Sequence, residues 1–135
     1  MTVHEQRLSR SEEAVIRQHL DALMLQEEIC GAVLSTIDGF HVAARLTGAL
    51  SAEKLSAMAS SLLAINEAVC RESSMGDCGD LVVEASHGRI LLMGVSHPAH
   101  KLILTVLCRA KATMGKALWS ARNCRESLGR VLSKT

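Results

Sequence analysis

Hydrophobic positions near the start of the chain recur at spacings of three and four residues. They are Ile16, Leu20, Leu23 and Met24, with charged or polar residues at most positions between them, and Glu27 continues the same spacing. Before them, Ser9 and Glu12 have the spacing at which two side chains satisfy free backbone N–H groups at a helix start. The pattern predicts an amphipathic first helix that begins at Ser9 and ends near Glu28. Residues 1–8 are patternless, so we expect them to be poorly ordered.

The next segment has the pattern of a β-hairpin. Residues 29–36 and residues 40–45 have the composition of strands. Between them, Asp38 and Gly39 supply the positive backbone angles that a tight hairpin turn requires. We therefore predict two antiparallel strands in this part of the chain.

Three more strands are predicted in the second half. Residues 80–86 and 89–95 flank His87-Gly88, where a glycine can take a turn conformation barred to other residues. Residues 102–108 are almost continuously apolar, as expected of a strand that is buried on both faces. This last strand is therefore predicted to lie at the centre of the sheet.

Two further helices complete the predicted fold. Ser51 and Glu53 mark the start of a second helix that runs to about Glu72. A stripe with helical spacing predicts a third helix, and its members are Met114, Ala117, Leu118, Ala121, Cys124, Leu128 and Val131. The predicted order is α-β-β-α-β-β-β-α. Short hairpins predict an antiparallel sheet, and strands apolar on both faces predict helices on both sides of it. The predicted fold is therefore α/β (α+β) with three layers, in a single domain over residues 9–135.

The second helix is unusual because Glu67 is the only charged residue between Leu55 and Cys70. One stripe of larger side chains, which suits the sheet, consists of Leu55, Met58, Leu62, Ile65 and Val69. A neighbouring stripe of mostly small side chains consists of Ala52, Ser56, Ala59, Leu63, Asn66 and Cys70. Small side chains let a second helix come close, so we predict a homodimer in which this helix packs against its copy. The alternative is an alanine-rich helix whose outer face is exposed.

Composition argues against several classes of function. Phe40 and Trp119 are the only aromatic residues and the net charge is +1, so the stacking platforms and basic groove of a nucleic-acid-binding protein are missing. No apolar run is long enough to span a membrane. Glu5 and Glu12 stand where a signal peptide would have its apolar core. We therefore expect a cytoplasmic protein that binds no nucleic acid and has no membrane span.

The chain offers little that could perform chemistry. Its cysteines are odd in number and form no CxxC pair, which argues against disulfides and a zinc knuckle; they are Cys30, Cys70, Cys78, Cys108 and Cys124. Cys78 lies between Asp77 and Asp80, which would raise its pKa and disfavour a thiol nucleophile. His97 and His100 could join Cys78 at a metal, but three candidates without regular spacing do not make a closed site. No glycine pattern fits a nucleotide loop. The sequence predicts no catalytic residue, no cofactor and no metal.

Charge is distributed unevenly along the chain. Residues 109–135 contain seven basic groups and Glu126, a net charge of +6, which leaves −5 for residues 1–108. One interpretation is that the acidic first helix and the basic third helix pair at their rims. The other is a basic face for an acidic partner, formed by Lys116, Arg122, Arg125 and Arg130.

The order of these segments resembles the roadblock (dynein light-chain) family, including its bacterial regulators of Ras-like GTPases. The resemblance spans residues 13–132. It is carried by the hairpin over 31–34 and 38–43, by Leu-Ser-Ala-Met-Ala-Ser-Ser-Leu at 55–62, by Gly-Asp-Leu-Val-Val-Glu at 79–84, and by Ala-Thr-Met-Gly at 112–115. None of these motifs is catalytic.

The resemblance implies a roadblock-like fold of profilin or longin type, with five antiparallel strands, the second helix on one face and the other two on the opposite face. It also implies dimers joined through the second helix and the edge strand at 80–86, so that Leu81 and Val83 join Ala52, Ser56, Ala59, Leu62, Leu63 and Asn66 in the predicted interface. The implied function is a non-enzymatic homodimeric adaptor or regulator of a small Ras-like GTPase, or a scaffold subunit. The alternative is a sensor domain that holds a small molecule between sheet and helix.

Overall fold

The computed structural model describes residues 8–133, and its elements follow the predicted order. They are α1 (Arg10–Met24), β1 (Ile29–Thr36), β2 (His41–Arg45), α2 (Ala52–Glu72), β3 (Leu81–Ala85), β4 (Gly88–Val95), β5 (Leu102–Arg109) and α3 (Met114–Leu132). Of the segment predicted to be poorly ordered, residues 1–7 lie outside the described residues, and the side chain of Leu8 is buried in the core. The main difference is that α1 ends four residues before Glu28, with Leu25 as its C-cap.

The reciprocal cap predicted for α1 is present. The Ser9 hydroxyl accepts a hydrogen bond from the backbone N–H of Glu12 (3.1 Å), and the Glu12 carboxylate accepts one from the backbone N–H of Ser9 (2.9 Å). Ser51 and Thr113 cap α2 and α3 in a similar way, each accepting from the backbone N–H three residues later. All three helices therefore begin at residues whose side chains replace missing backbone acceptors.

The five strands form one antiparallel sheet in the order β2-β1-β5-β4-β3. β5 is central, as its continuous apolar sequence predicted, and it pairs with β1 through Leu34 and Leu104 and with β4 through Leu91 and Val106. The predicted three-layer architecture is confirmed, because α2 packs on one face of the sheet while α1 and α3 pack on the other.

The two hairpins use glycine for different physical reasons. Gly39, in the β1–β2 turn, has φ +96°, the left-handed conformation expected from its sequence. Gly88 was predicted to serve the β3–β4 turn in the same way, but its φ is not positive and the turn residues are Ser86 and His87. A Cβ at Gly88 would lie 2.3 Å from the carbonyl oxygen of Cys108. Glycine is therefore required here by the close approach of β5.

Candidate functional site

α2 carries a row of large apolar side chains that face solvent. Met58 is 58% exposed, Leu62 40%, Ile65 60% and Val69 57%. At 100° per residue these four positions fall within about 60° of one another around the helix axis, so they form a single stripe. We call these four residues the exposed stripe. An exposed apolar patch of this kind is a typical signature of an interaction surface.

The sequence prediction assigned the two stripes of α2 to the wrong sides. Ser56, Ala59 and Leu63, predicted for the dimer interface, are buried against the sheet in the single subunit. Of the other predicted interface residues, Leu62 is exposed, whereas Ala52, Asn66, Leu81 and Val83 are half-buried. The stripe expected to cover the sheet, with Met58 and Ile65 at its centre, points outwards.

The reversal follows from how closely α2 lies on the sheet. The Ser60 hydroxyl donates a hydrogen bond to the carbonyl oxygen of Ile37, the residue that follows β1. A Cβ at Gly39 in the adjoining turn would lie 3.4 Å from Cα of Ala57. At this separation only small residues such as Ser56 and Ala59 fit beneath the first half of the helix. Periodicity alone does not give the distance between helix and sheet, so it could not identify the inward stripe.

The sheet beside α2 continues the apolar surface. On this face α2 lies over β1, β2 and β5, and the neighbouring strands β3 and β4 present Leu81, Val83 and Ile90, which are half-buried. Within residues 8–133, β3 is also an edge strand, paired only with β4. The exposed stripe and the open edge of β3 therefore belong to the same side of the molecule, and together they form the candidate interaction surface.

The predicted basic face of α3 is partly neutralised within the subunit. Arg122 and Arg125 both bind the carboxylate of Asp80, immediately before β3, at 3.0 and 2.7 Å. One interpretation of the charge distribution paired the basic third helix with the acidic first helix. The acidic partner of these two arginines is Asp80 instead. Lys116 and Arg130 are exposed, and Arg130 donates a hydrogen bond to the Ser127 hydroxyl at 3.2 Å. No sequence pattern indicates the contact with Asp80, because Asp80 and Arg125 are 45 positions apart.

The histidine considered as a metal ligand has a structural role instead. One ring nitrogen of His97, Nε2, lies 2.6 Å from the Glu12 carboxylate at the start of α1. The other, Nδ1, accepts hydrogen bonds from the backbone N–H groups of Ala99 (3.0 Å) and His100 (3.2 Å). Because Nδ1 is an acceptor, Nε2 carries the hydrogen and donates a hydrogen bond to the Glu12 carboxylate. Neither nitrogen is left for a metal, and residues 8–133 contain no group of three potential ligands.

The surroundings of Cys78 disfavour its thiolate form. Burial raises its pKa, and the carboxylates of Glu67 and Asp77 raise it further. The direction agrees with the prediction from sequence, but the largest cause is burial, and Asp80 is engaged by arginines. A raised pKa leaves less of the nucleophilic thiolate at neutral pH.

One buried carboxylate lies on the opposite side of the sheet. Glu28 is 5% exposed and accepts a hydrogen bond from the Ser120 hydroxyl of α3 at 2.5 Å. This bond lowers the pKa of Glu28, assisted by a backbone hydrogen bond and by the charge of Lys116. Glu28 lies just beyond the end of α1, so the bond joins that end of the helix to α3.

Comparison with known proteins agrees with this architecture. A sequence model of the Roadblock/LC7 domain matches residues 15–107, and the chain therefore belongs to the Roadblock/LC7 domain family. Two uncharacterized proteins of Methanocaldococcus jannaschii are each 32% identical to it over 100 residues, covering 71% of this chain and 84% of the relative.

Solved structures with the same fold include the gliding protein MglB. MglB from Thermus thermophilus superimposes with a TM-score of 0.79 at 15% identity, covering 96% of each chain. An MglB structure with a tetrameric arrangement gives a TM-score of 0.80 at 16% identity, covering 95% of each chain. At these identities the likeness establishes the fold alone.

The helices are not suited to crossing a membrane. Within residues 8–133, none of them combines the length and the apolar character that a bilayer span requires.

Proposed function

We propose that this protein is a non-enzymatic, cytoplasmic adaptor or regulator that works as a homodimer and binds a small Ras-like GTPase. The observation that carries the proposal is the exposed stripe on α2, whose members Met58, Leu62, Ile65 and Val69 are each at least 40% exposed. Burying such a stripe against a second copy removes apolar surface from water at about 25 cal/mol per Å².

The edge strand supports the same arrangement. Leu81 and Val83 of β3 pack against the cluster beneath α2, and among the described residues β3 is unpaired along one edge over Leu81–Ala85. Two copies related by a two-fold axis could pair these edges antiparallel while their α2 helices pack together. This proposal keeps Leu62, Leu81 and Val83 in the interface, adds Met58, Ile65 and Val69, and leaves Ser56, Ala59 and Leu63 in the core beneath the helix.

Mass measurement in solution tests the dimer. We expect light scattering on the purified protein to give twice the chain mass of 14.5 kDa. Leu62→Glu and Ile65→Glu place charges in the exposed stripe and should give monomers with the wild-type circular dichroism spectrum. The matched control is Ala64→Glu, because Ala64 is exposed on the opposite flank of the same helix and should leave the dimer intact. A monomeric wild type, or dimers in both stripe variants, would refute the proposal.

The GTPase partner is supported by the family and by the fold shared with MglB. A purified Ras-like GTPase from the same cell, loaded with a non-hydrolysable GTP analogue, should be retained on the immobilised protein. Rates of GTP hydrolysis with and without the protein then separate a regulator from a tether. If the GTPase is retained neither with the GTP analogue nor with GDP, while the protein is still a dimer, the GTPase partner is rejected and the homodimer is not.

A further inference from the structure

The edge strand of the sheet stops short of its neighbour. β3 begins at Leu81, opposite Leu92 of β4, whereas β4 continues to Val95. Met93, Gly94 and Val95 therefore pair with β5 on one side and, among the residues that the structure describes, with no strand on the other. The sheet has an open edge three residues long at this point.

Gly94 presents its backbone groups to this open edge. Ala85 and Gly88 close the two-residue β3–β4 turn. A pair in this position exchanges backbone hydrogen bonds, and hydrogen-bonded positions then alternate along the strand. Counting from Gly88, the N–H and C=O of every second residue of β4 point towards β3. Gly94 is one of these residues, but β3 begins opposite Leu92 and does not reach it. Gly94 is exposed, and nothing lies within 4 Å of the place where a Cβ would be.

A cleft of about 430 Å³ opens at the same point. Gly94 and Ser96 line it from the end of β4, and Arg125, Gly129 and Arg130 line it from α3. The helix and the strand approach each other at Gly129 and Ser96, where a Cβ at position 129 would lie at an ordinary contact distance of 3.9 Å from Cβ of Ser96. The cleft therefore has a strand edge on one side and a helix on the other.

The charged side chains of the cleft are predominantly basic. Arg125 uses one guanidinium N–H to bind Asp80, and Arg130 uses one to bind the Ser127 hydroxyl. A guanidinium has five N–H donors, so each arginine can bind a further acceptor. Among the described residues that line the cleft, Glu126 is the only carboxylate, against these two guanidinium groups. Arg122 shares Asp80 with Arg125, so these groups amount to three guanidinium charges against the carboxylates of Glu126 and Asp80, a net charge of +1 beside a free backbone donor and acceptor.

We propose that this cleft binds an extended acidic segment of a protein partner, which occupies the position that a longer β3 would take. Its backbone pairs with the N–H and C=O of Gly94, as in β-strand addition. One of its carboxylates is bound by Arg125 and Arg130 through charge-assisted hydrogen bonds. This site is separate from the exposed stripe and depends neither on the homodimer nor on a GTPase.

A titration followed by NMR tests the proposal on the full-length, 15N-labelled protein. The probes are the peptide acetyl-Val-Glu-Val-Glu-Val-amide, its glutamine counterpart and inorganic phosphate. We expect the glutamate peptide to shift the amide signals of Gly94 and Gly129 in a saturable manner. The glutamine peptide should bind about tenfold more weakly, because it lacks the charge-assisted bonds.

Variants separate the two parts of the site. Arg130→Gln should weaken binding of the glutamate peptide about tenfold and leave binding of the glutamine peptide unchanged. The control Arg17→Gln on α1 should change the affinity for neither peptide. Gly94→Pro removes the free backbone donor and should abolish binding of both; if it does not fold, the Arg130→Gln comparison decides. Three results would overturn the proposal. They are no shift of the amide signals at millimolar peptide, equal affinities for the two peptides, and a Gly94 shift that phosphate causes but neither peptide does.

Discussion

The two faces of the central sheet are built in different ways. On the face covered by α1 and α3, twenty residues form one buried hydrophobic cluster, whereas the cluster beneath α2 has four: Ala59, Leu63, Leu92 and Ile103. Both numbers refer to residues 8–133. Most of the large apolar side chains of α2 are on its exposed stripe instead. The α1 and α3 face therefore supplies most of the core, and the α2 side keeps apolar surface available for an interface.

The two faces also differ in whether their buried polar groups have hydrogen-bond partners. On the α1 and α3 face, buried Glu28 is bound by Ser120. On the other face, the hydroxyls of Ser35, Ser56 and Thr105 are buried and have no hydrogen-bond partner within the described part of the chain. Ser35 lies opposite Ile103 and Thr105 opposite Leu92, which places both in the layer beneath α2. An unsatisfied buried hydroxyl destabilises a fold, so the buried polar groups beneath α2 lower the stability of that layer.

The largest expected effect compares one leucine from each face. Leu104→Ala, at a fully buried position on the α1 and α3 face, should lower the free energy of unfolding by about 3–5 kcal/mol. Leu63→Ala, beneath α2 and 7% exposed, should lower it by about 2–3 kcal/mol, because fewer neighbours surround it. Urea unfolding of both variants measures the difference. Equal losses would mean that the two faces contribute alike.

A smaller effect is expected from the buried carboxylate of Glu28. Ser120→Ala removes the bond to Glu28 and should cost about 1–2 kcal/mol at neutral pH. The folded protein holds the pKa of Glu28 below its unfolded value, so its stabilisation is present above pH 4.5 and is lost as the pH falls through the lowered pKa.

The variant should therefore lose less stability than the wild type when both are acidified below pH 4.5. Urea unfolding at neutral pH and at acid pH measures this difference. Parallel stability profiles of the two proteins would contradict the role given to the Ser120 hydroxyl.

The smallest effect has the opposite sign. Thr105→Val replaces a buried, unpartnered hydroxyl by a methyl group of similar shape and should raise the free energy of unfolding by about 1 kcal/mol. Thr36→Val is the matched control in β1, since the Thr36 hydroxyl accepts a hydrogen bond from the backbone N–H of Phe40, and it should be neutral or destabilising. A loss of stability in Thr105→Val would indicate that an internal water satisfies the hydroxyl.

The sequence predicted the elements of the fold well because their signals are local. Helix starts at Ser9 and Ser51, the turn at Gly39 and the apolar run of β5 each depend on a few neighbouring residues. The end of α1 was placed too late because Glu27 continues the helical spacing after the helix has already ended at Leu25.

The candidate site was predicted only in part because its decisive features are not local. Helical spacing separated two stripes on α2, but the choice between them depends on how closely the helix lies on β1. Contacts of Asp80 with Arg122 and of Glu12 with His97 join residues 42 and 85 positions apart. The open edge at Gly94 arises from the register of two strands and the point where one of them ends.

The central position of β5 has a consequence for synthesis on the ribosome. Leu34 of β1 pairs with Leu104, and these residues are 70 positions apart. At about 5–20 residues per second, β1 emerges several seconds before the strand that must pair with it. During that interval the nascent β1–β2 hairpin has an unpaired edge and an uncovered apolar face, which makes it a natural client for a ribosome-associated chaperone.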